Sequence, residues 1–295
     1  MAALKYDKYM VKMSREKSKF PGGWLMSDEL VPGCNINIMF NWIAEKPKPN
    51  PMHLAMEAHD YPEIIFTLGM DPHNPEYLGG EIEGYMGQDR QLTKTTTALY
   101  IPGGVEHGKV SWKGFEKPHM QMAIKLSGDI REKKGPKGKT TVKATKLGDC
   151  EKYVVSAPAR ELSPPFNTTG RSNPSLTYMS NSLVPGCNIY LEYVWIWEMP
   201  TPNPIEGSHS HNYDEIVLNI GTDPKNPADL GAEIEAYLGG EKQVTDSTSA
   251  VFIPKNVKHG PVKWTRFTRP HIQMSIMLGT GDLKEAMPGG HKPDK

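Results

Sequence analysis

Short apolar runs alternate with clusters of Gly, Pro, Asn and Asp along most of the chain. Residues 36–43, 63–68, 81–86, 98–101 and 120–126 show period-2 alternation or brief continuous runs, and each is bounded by turn-forming residues. Such a pattern predicts strands. Many short strands at close spacing predict an all-β barrel or jelly roll with no long helix. Two proline-bearing segments, MDPHNPEYLGG and TDPKNPADLGA, read as loops, and their shared DP and NP pairs predict identical turns.

The pattern occurs twice. LVPGCNI stands at 30–36 and again at 183–189, and at an offset of 152 residues 59–126 match residues 211–278 at 34 of 68 positions without a gap. A weaker echo relates KYMVKMSREKSKF, from Lys8, to KYVVSAPARELSPPF, from Lys152. A unit this long is a duplicated domain rather than a solenoid repeat. The expected organisation is one domain over 1–130, a basic connector over 131–147 rich in Lys and Gly, a second domain over 148–283, and a tail over 284–295. The first 20 residues either wrap the other half or remain mobile.

Composition narrows the partners. With 34 basic and 34 acidic side chains among 295 residues, the chain has no electrostatic grip on nucleic acid or an anionic membrane. It shows neither a signal-peptide core nor 18 consecutive apolar residues. Three scattered cysteines, Cys34, Cys150 and Cys187, suit reduced thiols in a cytoplasm rather than a disulfide framework. A small-molecule substrate is the expected partner, and self-association into a homo-oligomer is compatible with such a chain. Phosphate loops, dinucleotide fingerprints and nucleophile elbows are absent.

Seven of the ten histidines fall at four repeat-equivalent places. In the second unit His209, His211 and Glu215 form HxHxxxE, and on one extended strand all three project to the same face. His259 follows at the end of a turn, VFIPKNVKHG. Three imidazoles and a carboxylate converging inside a barrel suit a divalent ion, with Fe2+ the leading candidate and Mn2+, Ni2+, Zn2+, Co2+ or Cu2+ as others. The first unit aligns Glu57, His59, Glu63 and His107 with that set. There the carboxylate of Glu57 replaces one imidazole, which makes either a harder second metal site or a vestigial one.

His271 and Gln273, with twins His119 and Gln121, form HxQ on a late strand. Facing inward they would supply acid–base chemistry and a substrate hydrogen bond; the other reading is a structural pair repeated in both halves. Glu83 and Glu235 read as outward-facing charges, and the matched aromatics Trp112, Trp264, Phe115 and Phe267 as core.

Gly207-Ser208-His209-Ser210-His211 through Glu215 to Gly221, followed by Pro254 to His259, resembles the two motifs of the cupin superfamily, and the duplication resembles a bicupin. The resemblance spans about 100 residues in each half, and implies two tandem double-stranded β-helix (jelly-roll) barrels with a metal in the second. It departs from the family at Asn256, where the second motif usually has the glycine that Gly104 supplies in the first unit. Cupins span several chemistries, so the resemblance implies a metal-dependent enzyme without naming its reaction. An oxygenase acting on a small oxygen-bearing organic substrate leads; a redox-neutral isomerase or lyase, or a non-catalytic metabolite-binding bicupin, are the alternatives.

Overall fold

The computed structural model describes residues 5–13, 23–52, 55–126, 149–162, 167–205 and 207–282. The expected connector over 131–147 and tail over 284–295 lie outside the described residues. The described fold is almost wholly antiparallel β-structure divided between two units.

One unit contains the described residues from 23 to 157. Its larger sheet runs in the order Val154–Val155, Thr97–Ile101, Glu63–Gly69, His119–Lys125, Asn37–Ile43, Gly23–Met26. Its smaller sheet runs Met56–Glu57, His107–Phe115, Tyr77–Met86, Asp89–Thr95. All five sequence-predicted strands of this half are present. Asp89–Thr95 carries almost no apolar side chains and has little burial contrast, which is why pattern alone does not reveal it.

The other unit joins residues 5–13 to those from Pro158 onward. Its larger sheet runs Met10–Lys12, Ser249–Ile253, Asp214–Gly221, His271–Leu278, Ile189–Thr201, Ser175–Met179, Ala159–Glu161, with Thr169–Arg171 also paired to Ile189–Thr201. A smaller sheet comprises Glu241–Ser247, Asp229–Leu238 and His259–Phe267.

These units cut across the sequence repeat. Met10 pairs with Val251 and Val11 with Ala250, while the repeat-equivalent Val154 and Val155 pair with Leu99 and Ala98. The leading strand of each sequence half therefore completes the sheet of the other half's barrel. A division near residue 130 follows the duplication, whereas the packing places the boundary between residues 157 and 158 and assigns the described N-terminal residues to the second unit. An edge strand takes whichever partner offers free N–H and C=O groups, and local sequence does not say which copy that will be.

Strand alternation places two different surfaces back to back. Ile64, Phe66 and Leu68 are wholly buried on one face, and Glu63, Ile65 and Thr67 line a cavity on the other. In the second unit Ile216, Leu218 and Ile220 repeat the apolar face, and Glu215, Val217 and Asn219 share the opposite one. Trp112 and Trp264 are buried core residues, with Phe115 and Phe267 packed against their clusters. The DP and NP turns are the same in both halves: Asn74 and Asn226 donate their backbone N–H groups to Asp71 and Asp223 at 3.1 and 3.0 Å. Glu83 forms ion pairs with Arg90 and Lys113, and Glu235 with Lys242.

Candidate metal centres

In the second unit the ligand candidates come from three chain segments. Glu215 is the second residue of the strand Asp214–Gly221, His259 opens His259–Phe267, and His209 and His211 precede the first of these. His209 and His259 exchange backbone hydrogen bonds of 2.9 and 2.8 Å, an isolated bridge rather than the regular strand that the HxH spacing predicts. Gly260 permits that approach. Its φ is +75°, and a Cβ there would lie 2.7 Å from the carbonyl oxygen of Gly207. Gly108 has the same role beside His107, where a Cβ would meet the Ala55 oxygen at 2.4 Å. Asn256 adopts φ +64° where Gly104 has +82°, and their N–H groups donate to the carbonyls of His211 and His59 at 2.7 and 2.6 Å. Asparagine tolerates the left-handed region better than most residues, so the missing motif glycine leaves the turn intact.

Each imidazole is oriented through Nδ1. His209, His211 and His259 place that atom 3.1, 2.8 and 3.0 Å from the carbonyl oxygens of Gly207, Tyr213 and Val257. A carbonyl only accepts, so Nδ1 carries a hydrogen, and Nε2 is left facing the interior, where it donates to a carboxylate when it bears a proton and ligates an ion when it does not. The His211 and His259 Nε2 atoms lie 3.0 and 3.5 Å from Oε2 of Glu215. Lone pairs facing a carboxylate repel unless a proton or a metal ion lies between them. His259 Nε2 is buried with no hydrogen-bond partner, which suits a metal-ligating atom. One ring nitrogen from each of the three histidines lies within 4.8 Å of the others. Bonds of about 2.1 Å to a common ion bring donors within about 4.2 Å of one another, so small side-chain movements close the set.

Burial opposes the charge on Glu215, but the His211 hydrogen bond and the neighbouring imidazoles outweigh it and hold the carboxyl below its usual range. Burial lowers the pKa of His259, which keeps the ring neutral, the form in which it ligates a metal.

The first unit repeats most of this geometry. His59 and His107 turn Nδ1 to the carbonyls of Tyr61 and Val105 at 2.7 and 3.0 Å and Nε2 to Oε2 of Glu63 at 2.7 and 3.1 Å. Glu63, His59 and His107 form a compact group. Burial pushes the Glu63 pKa up, but hydrogen bonds from His107 and His59 overcome this and bring it down to about 2. Glu57 stands at the rim, 66 % exposed, with Oε1 3.8 Å from His107 Nε2. It faces the group from a greater distance than the other three.

His271 and Gln273 are not brought to the metal set. In the register His271 lies opposite Gly221 and Gln273 opposite Asn219, whereas Glu215 lies opposite Met277. At 3.3 Å per residue the Cα of His271 is about 20 Å along the strand from the ligand end. It is fully buried, with Nδ1 facing the Arg269 carbonyl and Nε2 accepting from Trp264 Nε1 at 3.0 Å. His119 and Trp112 repeat the pair at 2.8 Å. With both nitrogens engaged, these surroundings suit the structural reading of HxQ, not acid–base work. Gln273 donates to Asn219 Oδ1 at 3.2 Å.

Two tyrosines escaped the sequence reading. Tyr61 stacks on His59 and Tyr213 on His211, with ring centroids 4.0 and 3.9 Å apart and nearly parallel planes. The repeated His-x-Tyr was the available signal.

The chain has the bicupin fold. Among solved structures it is similar to AerE from Microcystis aeruginosa, at 13 % identity over 83 % of this chain and 88 % of that one, with a TM-score of 0.51. It is also similar to a variant of oxalate decarboxylase from Bacillus subtilis, at 10 % identity over 92 % of this chain and 78 % of that one, with a TM-score of 0.55. No family model matches the chain, and no curated protein matches it in sequence. No helix among the described residues is long and apolar enough to cross a membrane.

Proposed function

We propose that the protein is a divalent-metal-dependent enzyme acting on a small oxygen-bearing organic substrate, with the ion held by His209, His211, Glu215 and His259. The buried, unpartnered Nε2 of His259, pointing where two other imidazoles and a carboxylate converge, is the observation that carries this reading. When held there, such an ion would supply Lewis-acid or redox chemistry, and Fe2+ leads because mixed imidazole and carboxylate donors suit it.

The chain's own residues do the positioning. The carbonyls of Gly207, Tyr213 and Val257 fix the tautomers, the Tyr213 ring holds the plane of His211, and the ionised Glu215 supplies the negative charge. An ion held by these four donors would be able to bind a substrate hydroxyl, enolate or carboxylate as well. An oxygenase is the leading reaction.

Redox-neutral chemistry is the second reading. It is favoured by the fold's likeness to oxalate decarboxylase, a protein whose Bacillus subtilis form has Mn(II) centres. The test is elemental analysis of protein purified without a metal-binding tag, followed by oxygen-electrode measurements on protein loaded with iron or manganese and challenged with hydroxy acids, keto acids and catechols. Oxygen uptake with product supports the oxygenase; product without oxygen uptake supports the second reading. Protein without tightly held metal would overturn both.

A further inference from the structure

The first barrel contains a cavity of about 400 Å³. That is the size of a small-molecule site. One end is formed by Glu57, Glu63 and His107, and much of the wall is apolar, including Met39, Ile65, Leu99 and Val110. Among the other polar residues that line it, Lys125, Asn41 and Gln121 have no part in the metal set.

Lys125 ends the strand His119–Lys125, directly opposite Glu63. It hydrogen-bonds to the Tyr61 hydroxyl and its charge acts on the Glu63 carboxylate, but no salt bridge ties it to a described residue, which leaves ammonium N–H groups for a ligand. Asn41 is 7 % exposed, and its Oδ1 is buried without a hydrogen-bond partner. An orphaned buried acceptor is costly unless a ligand supplies its donor. Gln121 pairs in register with Asn41 on one side and Thr67 on the other.

The duplicated barrel makes the comparison internal. In the matching register positions Val194 stands for Asn41 and Met277 for Lys125, while the equivalent glutamine, Gln273, is bonded to Asn219. The cation and the orphaned amide are thus particular to the first barrel rather than requirements of the fold.

From this cavity we infer a binding chamber for a small organic acid: a carboxylate at Lys125, an apolar body along the aliphatic wall, and a hydroxyl donating to Asn41 Oδ1. Four residues of strand separate Lys125 from the Gln121–Asn41 pair, about 13 Å between Cα positions. Side chains reaching inward shorten that span to one that a chain of four to eight carbons bridges. The buried acceptor selects against an acid lacking the distal hydroxyl, because desolvated polar groups discriminate more sharply than apolar walls. The inference is independent of the reaction assigned to the second barrel.

The test is isothermal titration calorimetry of the full chain as purified, using straight-chain ω-hydroxy acids of four to eight carbons. Simple acids and alcohols of the same lengths serve as controls. At least one hydroxy acid is expected to bind, with its matching alcohol at least tenfold weaker and its matching simple acid weaker as well. Lys125→Met places in the first barrel the residue that the second barrel tolerates. It should reduce hydroxy-acid binding to the level of the alcohol without changing metal content, and Lys125→Arg should restore part of it. Asn41→Val should erase the preference for the hydroxyl while leaving simple-acid binding unchanged. Circular dichroism establishes that each variant is folded. Failure of the whole series to bind would mean that only water fills the cavity, and equal binding by folded Lys125→Met would remove the carboxylate contact; either result overturns the inference.

Discussion

Trp264 donates its indole N–H to Nε2 of His271 across 3.0 Å, and Trp112 does the same to His119 across 2.8 Å, so one buried pair locks the far end of each barrel. Burial depresses the pKa of His271 from 6.5 to about 4. The folded protein keeps the ring neutral, whereas the unfolded chain takes up a proton below pH 6.5. The contribution to stability is therefore complete above 6.5 and falls as pH drops from 6.5 toward 4, by an amount on the order of 3 kcal/mol. Chemical denaturation at pH 7.5 and pH 5 should show the loss. His271→Leu should flatten part of that dependence and cost about 1–3 kcal/mol at pH 7.5, since Trp264 loses its acceptor. Its metal content should equal that of the parent; a drop would return His271 to the metal site.

His211→Ala and His259→Ala each remove an inner-sphere donor while leaving the barrel's apolar face untouched. Metal affinity in the second barrel should fall by well over tenfold, since even an outer-shell change costs 10–100-fold. Thermal unfolding measured on metal-free protein should change little. Full metal retention by either variant would remove that histidine from the ligand set.

Gly260→Ala tests the positioning of ligands without touching one. The added methyl meets the Gly207 oxygen at 2.7 Å in a backbone conformation disfavoured for alanine, so the His209–His259 bridge must open. We expect metal affinity to fall at least tenfold although all four ligands are present. Asn256→Gly, which restores the usual motif residue at φ +64°, should leave affinity unchanged and stability within about 1 kcal/mol.

The exchanged strands make the first barrel depend on residues beyond the expected connector. A fragment spanning 20–147 lacks Val154–Val155, the partner of Thr97–Ile101, and Cys150, which packs with Met86, Ile101 and Val105. A fragment spanning 20–157 retains both. Only the longer one should unfold cooperatively in urea; equal cooperativity would show the exchanged strand to be dispensable.

Glu57→His gives the first barrel the imidazole that His209 provides in the second. Affinity of that barrel for zinc, nickel or copper should rise, because imidazole suits these ions better than carboxylate does. An unchanged metal-to-chain ratio and affinity would mean that the rim position of Glu57 lies too far out to ligate.

The sequence alone determined the repeat and the all-β character, and it singled out the candidate ligands. Period-2 alternation and turn residues are local consequences of strand geometry, and His209, His211, Glu215 and His259 stand out because they fall at matching places of the repeat in short recognisable motifs. Tertiary structure decided what depends on distant partners. Met10–Lys12 and Val154–Val155 resemble each other closely, and only the competition of edge strands for free backbone groups places each in the opposite barrel. His271 read equally well as acid–base residue or structural residue until Trp264 and the Arg269 carbonyl occupied its two nitrogens. Lys125 and Asn41 carried no local signal, because a cavity is bounded by side chains from many strands and exists only once those strands have closed around it.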